Sequence, residues 1–589
     1  MAGTVVHSAE AGEAPRTLSL FARHYWHLSG LLTAVASLLW TVSLFRLSHT
    51  GLKLDDMGYV HTLPLTFWTG IALLTVGSAL LWQAPREHKG MLALQLCMLI
   101  TMFWLTPLFL GNTVSGTRYS FGLDNCTKYI MRYGHLDTAS EWYHNWPAFN
   151  LIEAALLYIS GIVNLDSFII WAQAPIQFVV VLFLYLFFKQ ILGQGNQWAA
   201  AAWFFILFNW TAQTYYSPQA LGIILLLTLF FLLSKGLTED GAKAQLLPLG
   251  ILVIVGLVVT HLLTALTGLF VVAIFEMMAF VKKRRLPTLT PLFITLILTW
   301  ETYYGGLFLK KALPGFLKQV MNFELMWSRN VTRVIAGSAG HLAVVNLRIW
   351  LTLAAGAIGL GGLALSRKIK APGDGLALAM GTGILVILPF QFYGNEFLSR
   401  LFIYSLPIIA YFAAKLIRTK VTALFLTLSL IAALPFGIVG LHGNAMTDDV
   451  TLKQLAYWHL LEARTERGNL GLGGMTIAWS FGYADYRYVK GFDEVFGYGS
   501  KWPERLAIRG WVEPNMPNYL GFSGYEEAAF RMWTDFPEGV SKLTAQANGL
   551  SDLTLFYENG EVKGYYHNGV KLPSYPLFEP AADVSPAGG

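Results

Sequence analysis

Long apolar segments recur from residue 28 to residue 441, and they constrain the fold more than any other feature of the sequence. A helix needs about 20 apolar residues to cross the hydrocarbon core of a bilayer. With 55% hydrophobic and 13% charged residues among 589, the chain cannot be an ordinary soluble globule. We therefore predict an all-α polytopic membrane bundle with about thirteen transmembrane helices. The predicted spans lie near 28–47, 63–82, 91–111, 167–189, 197–213, 219–234, 245–260, 263–281, 288–305, 341–364, 376–392, 401–416 and 421–441.

Positively charged residues are concentrated in every second loop. Short cytoplasmic loops of membrane proteins accumulate lysine and arginine, whereas short outer loops do not. If the N-terminal tail, residues 1–27, is cytoplasmic, the short loops rich in lysine and arginine fall inside and the C-terminus lies outside. The net charge of +6 therefore indicates topology and not a nucleic-acid partner. We expect a multi-pass protein of the cell (plasma) membrane, with a transmembrane domain at 28–441.

The composition changes after residue 442, where the long apolar segments stop. Residues 442–578 are predicted to form a small extracytoplasmic α/β domain, and 579–589 a disordered tail. Helical spacing and a glycine stop predict a helix at 451–468. Alternation on both sides of an Asn-Gly pair predicts a β-hairpin at 553–569.

The outer loop at 112–150 is unusually rich in charged and aromatic side chains. Apolar residues at helical spacing predict that 125–136 forms a helix lying flat at the membrane surface. Asp124 would be its N-cap, because aspartate accepts hydrogen bonds from first-turn amides. The alternative role is a general base that takes a proton from a hydroxyl group. Glu141, Trp142, Tyr143, His144 and Trp146 follow in the same loop, and the aromatic residues among them are by default membrane-interface anchors.

Cationic side chains occur on the same predicted side. Glu396 and Arg400 are one helical turn apart at the mouth of a span. They form either an ion pair that caps this helix or a phosphate site, since the guanidinium fork suits phosphate and is costly at the boundary of an apolar helix. Arg348 is a second candidate by the same argument. His261, at an outer turn, is either structural or in contact with a phosphate or an acceptor.

Asp55 and Asp56 are adjacent in the first outer loop, at 48–62. Paired carboxylates suit hard divalent cations such as Mg²⁺ or Mn²⁺, although adjacent acids in an exposed loop are usually only solvated. No cofactor is predicted firmly. The motifs of P-loop ATPases, serine hydrolases, zincins and thiol redox enzymes do not occur in the sequence.

Four segments, EWYHNWPAF, YYSPQALG, THLLTAL and YGNEFLSRLFIYSLP, are similar to segments of prokaryotic glycosyltransferase-like membrane proteins. With the acidic outer loop, the late arginine and the outer C-terminal domain, the chain resembles the GT-C superfamily of integral-membrane glycosyltransferases. The resemblance implies a polyprenyl-phosphate sugar donor and a glycan, lipid or protein acceptor on the outer face. It also implies inversion at the anomeric carbon.

The resemblance suggests roles for particular residues. Asp124 corresponds to the base, and Arg400 to a ligand of the donor phosphate that Glu396 orients. The GT-C acidic loop commonly follows the first span, whereas here it follows the third. Either the first two helices are an N-terminal addition, which we prefer because 48–62 is short, or the base is Asp56. Glu141 is a further alternative base, Arg348 and His261 are further donor ligands, and the predicted acceptor- and sugar-binding residues are Trp142, Tyr143, His144, Trp146 and Tyr216.

Two other classes of protein are compatible with the sequence. A transporter or flippase of a lipid-linked saccharide predicts symmetric halves and functional groups near the bilayer midplane, whereas the candidate charges gather at one edge. A non-catalytic GT-C-like scaffold would present its outer domain to an envelope partner.

Overall fold

The structure, a computed structural model, is a bundle of apolar helices followed by a smaller α/β part. It describes residues 16–114, 116–138, 142–162, 165–193, 195–238, 242–283, 288–311, 313–314, 324, 338–368, 372–388, 397–464, 471–473, 489–491, 519–533 and 538–568. The first helices are α1 (Arg16–Thr50), α2 (Leu65–Trp82), α3 (Lys89–Phe103), α4 (Thr106–Phe109), α5 (Thr117–Tyr133), α6 (Ala148–Ser160), α7 (Leu165–Leu192) and α8 (Gln197–Phe208). They are followed by α9 (Pro218–Thr238), α10 (Ala242–Thr260), α11 (Leu262–Lys283), α12 (Leu289–Tyr303), α13 (Gly306–Lys311), α14 (Ala339–Lys368), α15 (Pro372–Leu385), α16 (Phe397–Ala414) and α17 (Lys420–His442).

Eight helices of the described residues are long and apolar enough to cross a membrane: α1, α2, α7, α9, α11, α14, α16 and α17. The other predicted spans also coincide with helices, namely α3, α8, α10, α12 and α15, but their apolar parts are no longer than 15 residues. The polytopic helical architecture is confirmed. Among the predicted spans, length and composition support a full membrane crossing for the eight long helices.

The short helix α8 shows why some apolar segments need not span the membrane by themselves. All of its residues from Trp198 to Phe208 are buried. Four consecutive alanines, Ala199–Ala202, let neighbouring helices approach closely. A short helix that is apolar on every side is typical of a core position, and α8 lies against α7, α16 and α17.

Polar contacts divide the loops of the bundle between two ends. At one end, loop residues near Asp56, Thr113 and Arg118 contact the chain that follows α17. Contacts at the other end join the α2–α3 loop to α7 and to the segment after α16, through Glu87 with Lys189 and Gln83 with the carbonyl of Ile417. Among these described loops, the predicted outer ones therefore lie at one end of the bundle and the predicted inner ones at the other. Which end faces outside is still a prediction from the charge pattern.

The part after α17 contains α18 (Ala445–Asp448), α19 (Leu452–Arg464), α20 (Gly524–Trp533) and α21 (Gly539–Gly549). Its sheet has strands β1 (Gly471–Gly473), β2 (Val489–Gly491), β3 (Tyr519–Phe522), β4 (Leu553–Glu558) and β5 (Lys563–His567), in the order β2-β1-β3-β5-β4. Strands β1 and β2 and strands β1 and β3 pair in parallel, whereas β5 is antiparallel to β3 and β4. The predicted hairpin is confirmed, and Gly560 in its turn has a φ of 84°.

Candidate functional site

Helix α5 carries the principal acidic residue and lies beside α6, α7 and α18. It starts after Gly116, whose φ is 90° and whose missing Cβ leaves room for the ring of Tyr215. It ends at Gly134, which has a φ of 70° and donates its amide to the carbonyl of Ile130 at 2.8 Å. The helix thus runs from Thr117 to Tyr133 and not over the predicted 125–136.

The prediction that Asp124 caps this helix is wrong. Asp124 lies in the interior of α5, because the residues from Thr117 onward already form its first turns. Its side chain is 1% exposed, and its Oδ2 atom is 2.8 Å from Nζ of Lys128, one turn along the helix. A capping role therefore does not account for the carboxylate, which is buried and held by a cation.

Glu153 of α6 is a second buried carboxyl group, and it was not among the residues predicted from the sequence. Its side chain is 1% exposed, and its Oε2 accepts a hydrogen bond of 2.5 Å from Thr127 of α5. The hydroxyl of Tyr216 also hydrogen-bonds to it. Asn150, one turn earlier on α6, donates to the carbonyl of Leu123 at 2.9 Å and to Thr127 at 3.1 Å. The two helices are therefore joined by polar contacts around a pair of acids.

The environment of Glu153 favours its neutral form. Burial raises the pKa of Glu153 from 4.5 to about 8, and the nearby charge of Asp124 is the second cause of this rise. Hydrogen bonds from Thr127 and Tyr216 and the charge of Lys128 act in the opposite direction and lower the pKa. Burial and Glu153 in turn raise the pKa of the Tyr216 hydroxyl above its usual value. At neutral pH the pair consequently holds a proton on Glu153, while the ammonium of Lys128 lies against Asp124.

Arg400 and His261, two predicted donor ligands, are brought together by the structure. Arg400 lies in the first turn of α16, and its Nη1 atom is 3.4 Å from Nε2 of His261. The other ring nitrogen of His261 is 2.8 Å from the hydroxyl of Thr264, which is 2.8 Å from that of Tyr404. The guanidinium is thus placed at the end of a buried polar chain. Glu396, its predicted partner, lies outside the described residues.

Arg348, the other predicted phosphate ligand, is in contact with protein groups. Its Nε donates to the carbonyl of Gly440 at 2.8 Å, and its guanidinium carbon lies 5.7 Å from the ring centroid of Trp210. These contacts join α14 to α17 and to the loop after α8. A structural role explains them, and they add no support for a phosphate ligand.

The loop between α1 and α2 is also held by protein contacts. Asp55 accepts the amide of Met57 at 2.7 Å and pairs with His61 at 2.7 Å. Asp56 pairs with Arg531 of α20 through two nitrogens, at 2.9 and 2.7 Å. Both carboxylates therefore have structural partners, and no group of three or more His, Cys, Asp or Glu that could hold a metal occurs within the part of the chain that the structure describes.

The turn before α6 positions several of the predicted acceptor-binding residues. Tyr143 is 36% exposed, whereas His144 is buried and accepts the amide of Asp137 at 2.6 Å on its Nδ1. Burial lowers the pKa of His144 to about 4, so its ring is neutral. Trp146 is buried and donates from Nε1 to Glu301 of α12 at 3.1 Å.

These contacts change the interpretation of the aromatic residues. His144 packs against Tyr129 of α5 with ring centroids 5.1 Å apart, and Tyr216 packs against Phe149 of α6 at 4.7 Å. The rings of His144 and Tyr216 therefore help to position α5 and α6. Among the aromatic side chains described in the turn before α6, that of Tyr143 is exposed. Glu141 and the side chain of Trp142 lie outside the described part of the chain.

The long apolar helices and the buried acidic pair define a multi-pass helical membrane protein with a polar site at one end of its bundle. Its fold is similar to the crystal structure of ArnT from Cupriavidus metallidurans bound to undecaprenyl phosphate, with a TM-score of 0.46 and 12% identity over 83% of this chain and 100% of that one. This match concerns the course of the chain and assigns no role to a side chain. No protein-family model matches the chain, and no curated protein matches its sequence at a significant level.

Proposed function

We propose that the chain is a membrane glycosyltransferase that moves a sugar from a polyprenyl-phosphate donor to a glycan, lipid or protein acceptor on the outer face, with inversion. The observation that carries the proposal is the buried acid pair of Asp124 and Glu153, held between two helices outside the long spans. Burying two neighbouring carboxyl groups costs free energy of folding. Neighbouring acids whose pKa values differ are typical of acid–base sites.

In this proposal Asp124 is the general base. It takes the proton of the acceptor hydroxyl as the oxygen attacks the anomeric carbon from the face opposite the phosphate. Glu153 remains protonated and keeps the negative charge of the pair on Asp124, while Lys128 stabilises that charge. Because Asp124 is 1% exposed, the acceptor reaches it only when the contact between α5 and α6 opens.

Arg400 is proposed to hold the donor phosphate and to stabilise the charge that it gains as the sugar leaves. A guanidinium can form two parallel hydrogen bonds with phosphate oxygens. His261 beside it fixes the orientation of the guanidinium. The proposal requires that Arg400 and Asp124 face one cavity, and it assigns no metal ion to the reaction.

The test is a transfer assay with purified protein and radiolabelled polyprenyl-phosphate sugars. Asp124→Asn should fold and lose about 10²- to 10⁴-fold of the transfer rate, as expected for removal of a general base. The matched control is Asp552→Asn, at an acid that pairs with His567 in the C-terminal sheet and should leave the rate unchanged.

Full activity in Asp124→Asn would contradict the assignment of the base and move it to Asp56 or Glu141. Wild-type protein that transfers no sugar but carries a lipid-linked saccharide across sealed vesicles would instead show a transporter.

A further inference from the structure

A groove runs along α3 at the end of the bundle opposite the acidic pair. It has a volume of about 400 Å³, within the range of about 300–1,000 Å³ that is usual for small-molecule sites. Its walls come from α3, α7 and α8, and apolar atoms form nearly all of its surface. On α3, the small residues Gly90, Ala93 and Cys97 are exposed and make the wall recede between larger neighbours.

The length of the groove matches one leaflet of a bilayer. The lining residues of α3 extend from Lys89 to Ile100, which corresponds to about 16 Å along a helix axis. One leaflet contributes about half of the roughly 30 Å hydrocarbon core. A single acyl chain of a phospholipid therefore fits the groove from end to end, whereas a long polyprenyl chain exceeds it.

The mouth of the groove is positively charged. Lys89 lies there and pairs with Glu87 at 3.2 Å. Lys189 of α7 pairs with the same carboxylate, so two ammonium groups share one negative charge. Arg86 adds another positive charge in the same loop. Basic residues at the mouth of a pocket between transmembrane helices are complementary to anionic lipid headgroups.

Aromatic rings form one side of the groove. Trp198 of α8 lines it and is 3% exposed. Its ring packs edge-on against that of Tyr185 of α7, another lining residue, with ring centroids 4.6 Å apart. This side of the groove is therefore an apolar surface that suits a hydrocarbon chain.

We propose that this groove is a binding site for one anionic phospholipid, with an acyl chain between α3 and α7 and the headgroup at Lys89. The site is separate from the acid pair and does not depend on glycosyl transfer.

Native mass spectrometry of the full-length protein tests the proposal, with palmitoyl-oleoyl phosphatidylglycerol and phosphatidylcholine as probes. We expect one phosphatidylglycerol to be retained per chain in preference to phosphatidylcholine. Lys89→Gln should weaken its binding about fivefold, the factor that corresponds to about 1 kcal/mol per lysine. Ala93→Phe should abolish retention of phosphatidylglycerol because the ring fills the groove. Leu94→Phe is the control, since it places the same ring on an exposed position of α3 outside the groove lining. This variant should retain phosphatidylglycerol as the wild type does.

Equal retention of the two lipids, or equal binding by the two phenylalanine variants, would overturn the proposal. Displacement of phosphatidylglycerol by undecaprenyl phosphate would also overturn it and assign the groove to a polyprenyl lipid. If Ala93→Phe lowers the thermal midpoint, a phosphatidylglycerol with a photoreactive acyl chain replaces it as the test. Cross-links should then map to residues 89–100 of the wild-type protein, and their absence there would refute the site.

Discussion

Replacing Glu153 with glutamine tests whether the buried pair holds a proton at neutral pH. Glutamine has nearly the same shape and imitates the neutral carboxyl group. Raising the pKa of Glu153 from 4.5 to about 8 corresponds to about 5 kcal/mol at 1.36 kcal/mol per pKa unit. Folded Glu153 keeps its proton where the unfolded carboxyl has lost it. Its contribution to stability is therefore complete below pH 4.5 and is lost as the pH rises to about 8.

The assay compares thermal midpoints of wild type and Glu153→Gln in detergent between acid pH and a pH above 8. We expect the thermal midpoint of the variant to rise relative to that of the wild type as the pH rises, because the glutamine side chain carries no charge in the folded or the unfolded state. Glu538→Gln is the matched control, since that side chain is 74% exposed. The same pH dependence in wild type and Glu153→Gln would refute the idea that burial holds the proton on Glu153.

Three further predictions follow from the other contacts. Arg400→Ala should weaken binding of the donor in the transition state by about 2–5 kcal/mol, the usual cost of removing one partner of a buried charged contact. Steady-state kinetics should show this change in kcat/KM for the donor and not for the acceptor. Unchanged donor kinetics would discard the phosphate role. Arg531→Met should leave the carboxylate of Asp56 without its guanidinium partner and destabilise the contact with α20 by about 1–3 kcal/mol. Limited proteolysis after residue 442 should then be faster, and an unchanged cleavage rate would contradict this. Tyr216→Phe removes a hydrogen bond that lowers the pKa of Glu153, so the pH-dependent loss of stability should move to higher pH, and a shift to lower pH would contradict the contact.

The helices were predictable because membrane spans depend on local composition. Each predicted span coincides with a helix, since backbone groups in a bilayer must be satisfied within the segment itself. The number of full spans was less predictable. Helix α8 is as apolar as a span, and only its burial by neighbouring helices shows that it lies inside the bundle.

The candidate site was only partly predictable, because its contacts join distant parts of the chain. Arg400 and His261 were selected separately and lie together, although 139 residues separate them in sequence. The partner of Asp56 is 475 residues away, and no local pattern indicates it.

Glu153 could have been found from sequence, because a carboxyl group within LIEAALL is costly in an apolar helix unless it has polar partners. Its proximity to Asp124 could not, since it depends on how α5 packs against α6. The cap predicted for Asp124 was wrong because the start of α5 is set by Gly116 and its contact with Tyr215.

The central claim is that Asp124 and Arg400 act on one bound donor, and a cryo-electron microscopy structure with a polyprenyl-phosphate sugar tests it most directly. The account predicts the phosphate within hydrogen-bonding distance of the Arg400 guanidinium and the Asp124 carboxylate on the opposite side of the anomeric carbon. A donor phosphate bound away from Arg400, or a sugar whose anomeric carbon faces a compartment that Asp124 does not reach, would contradict it.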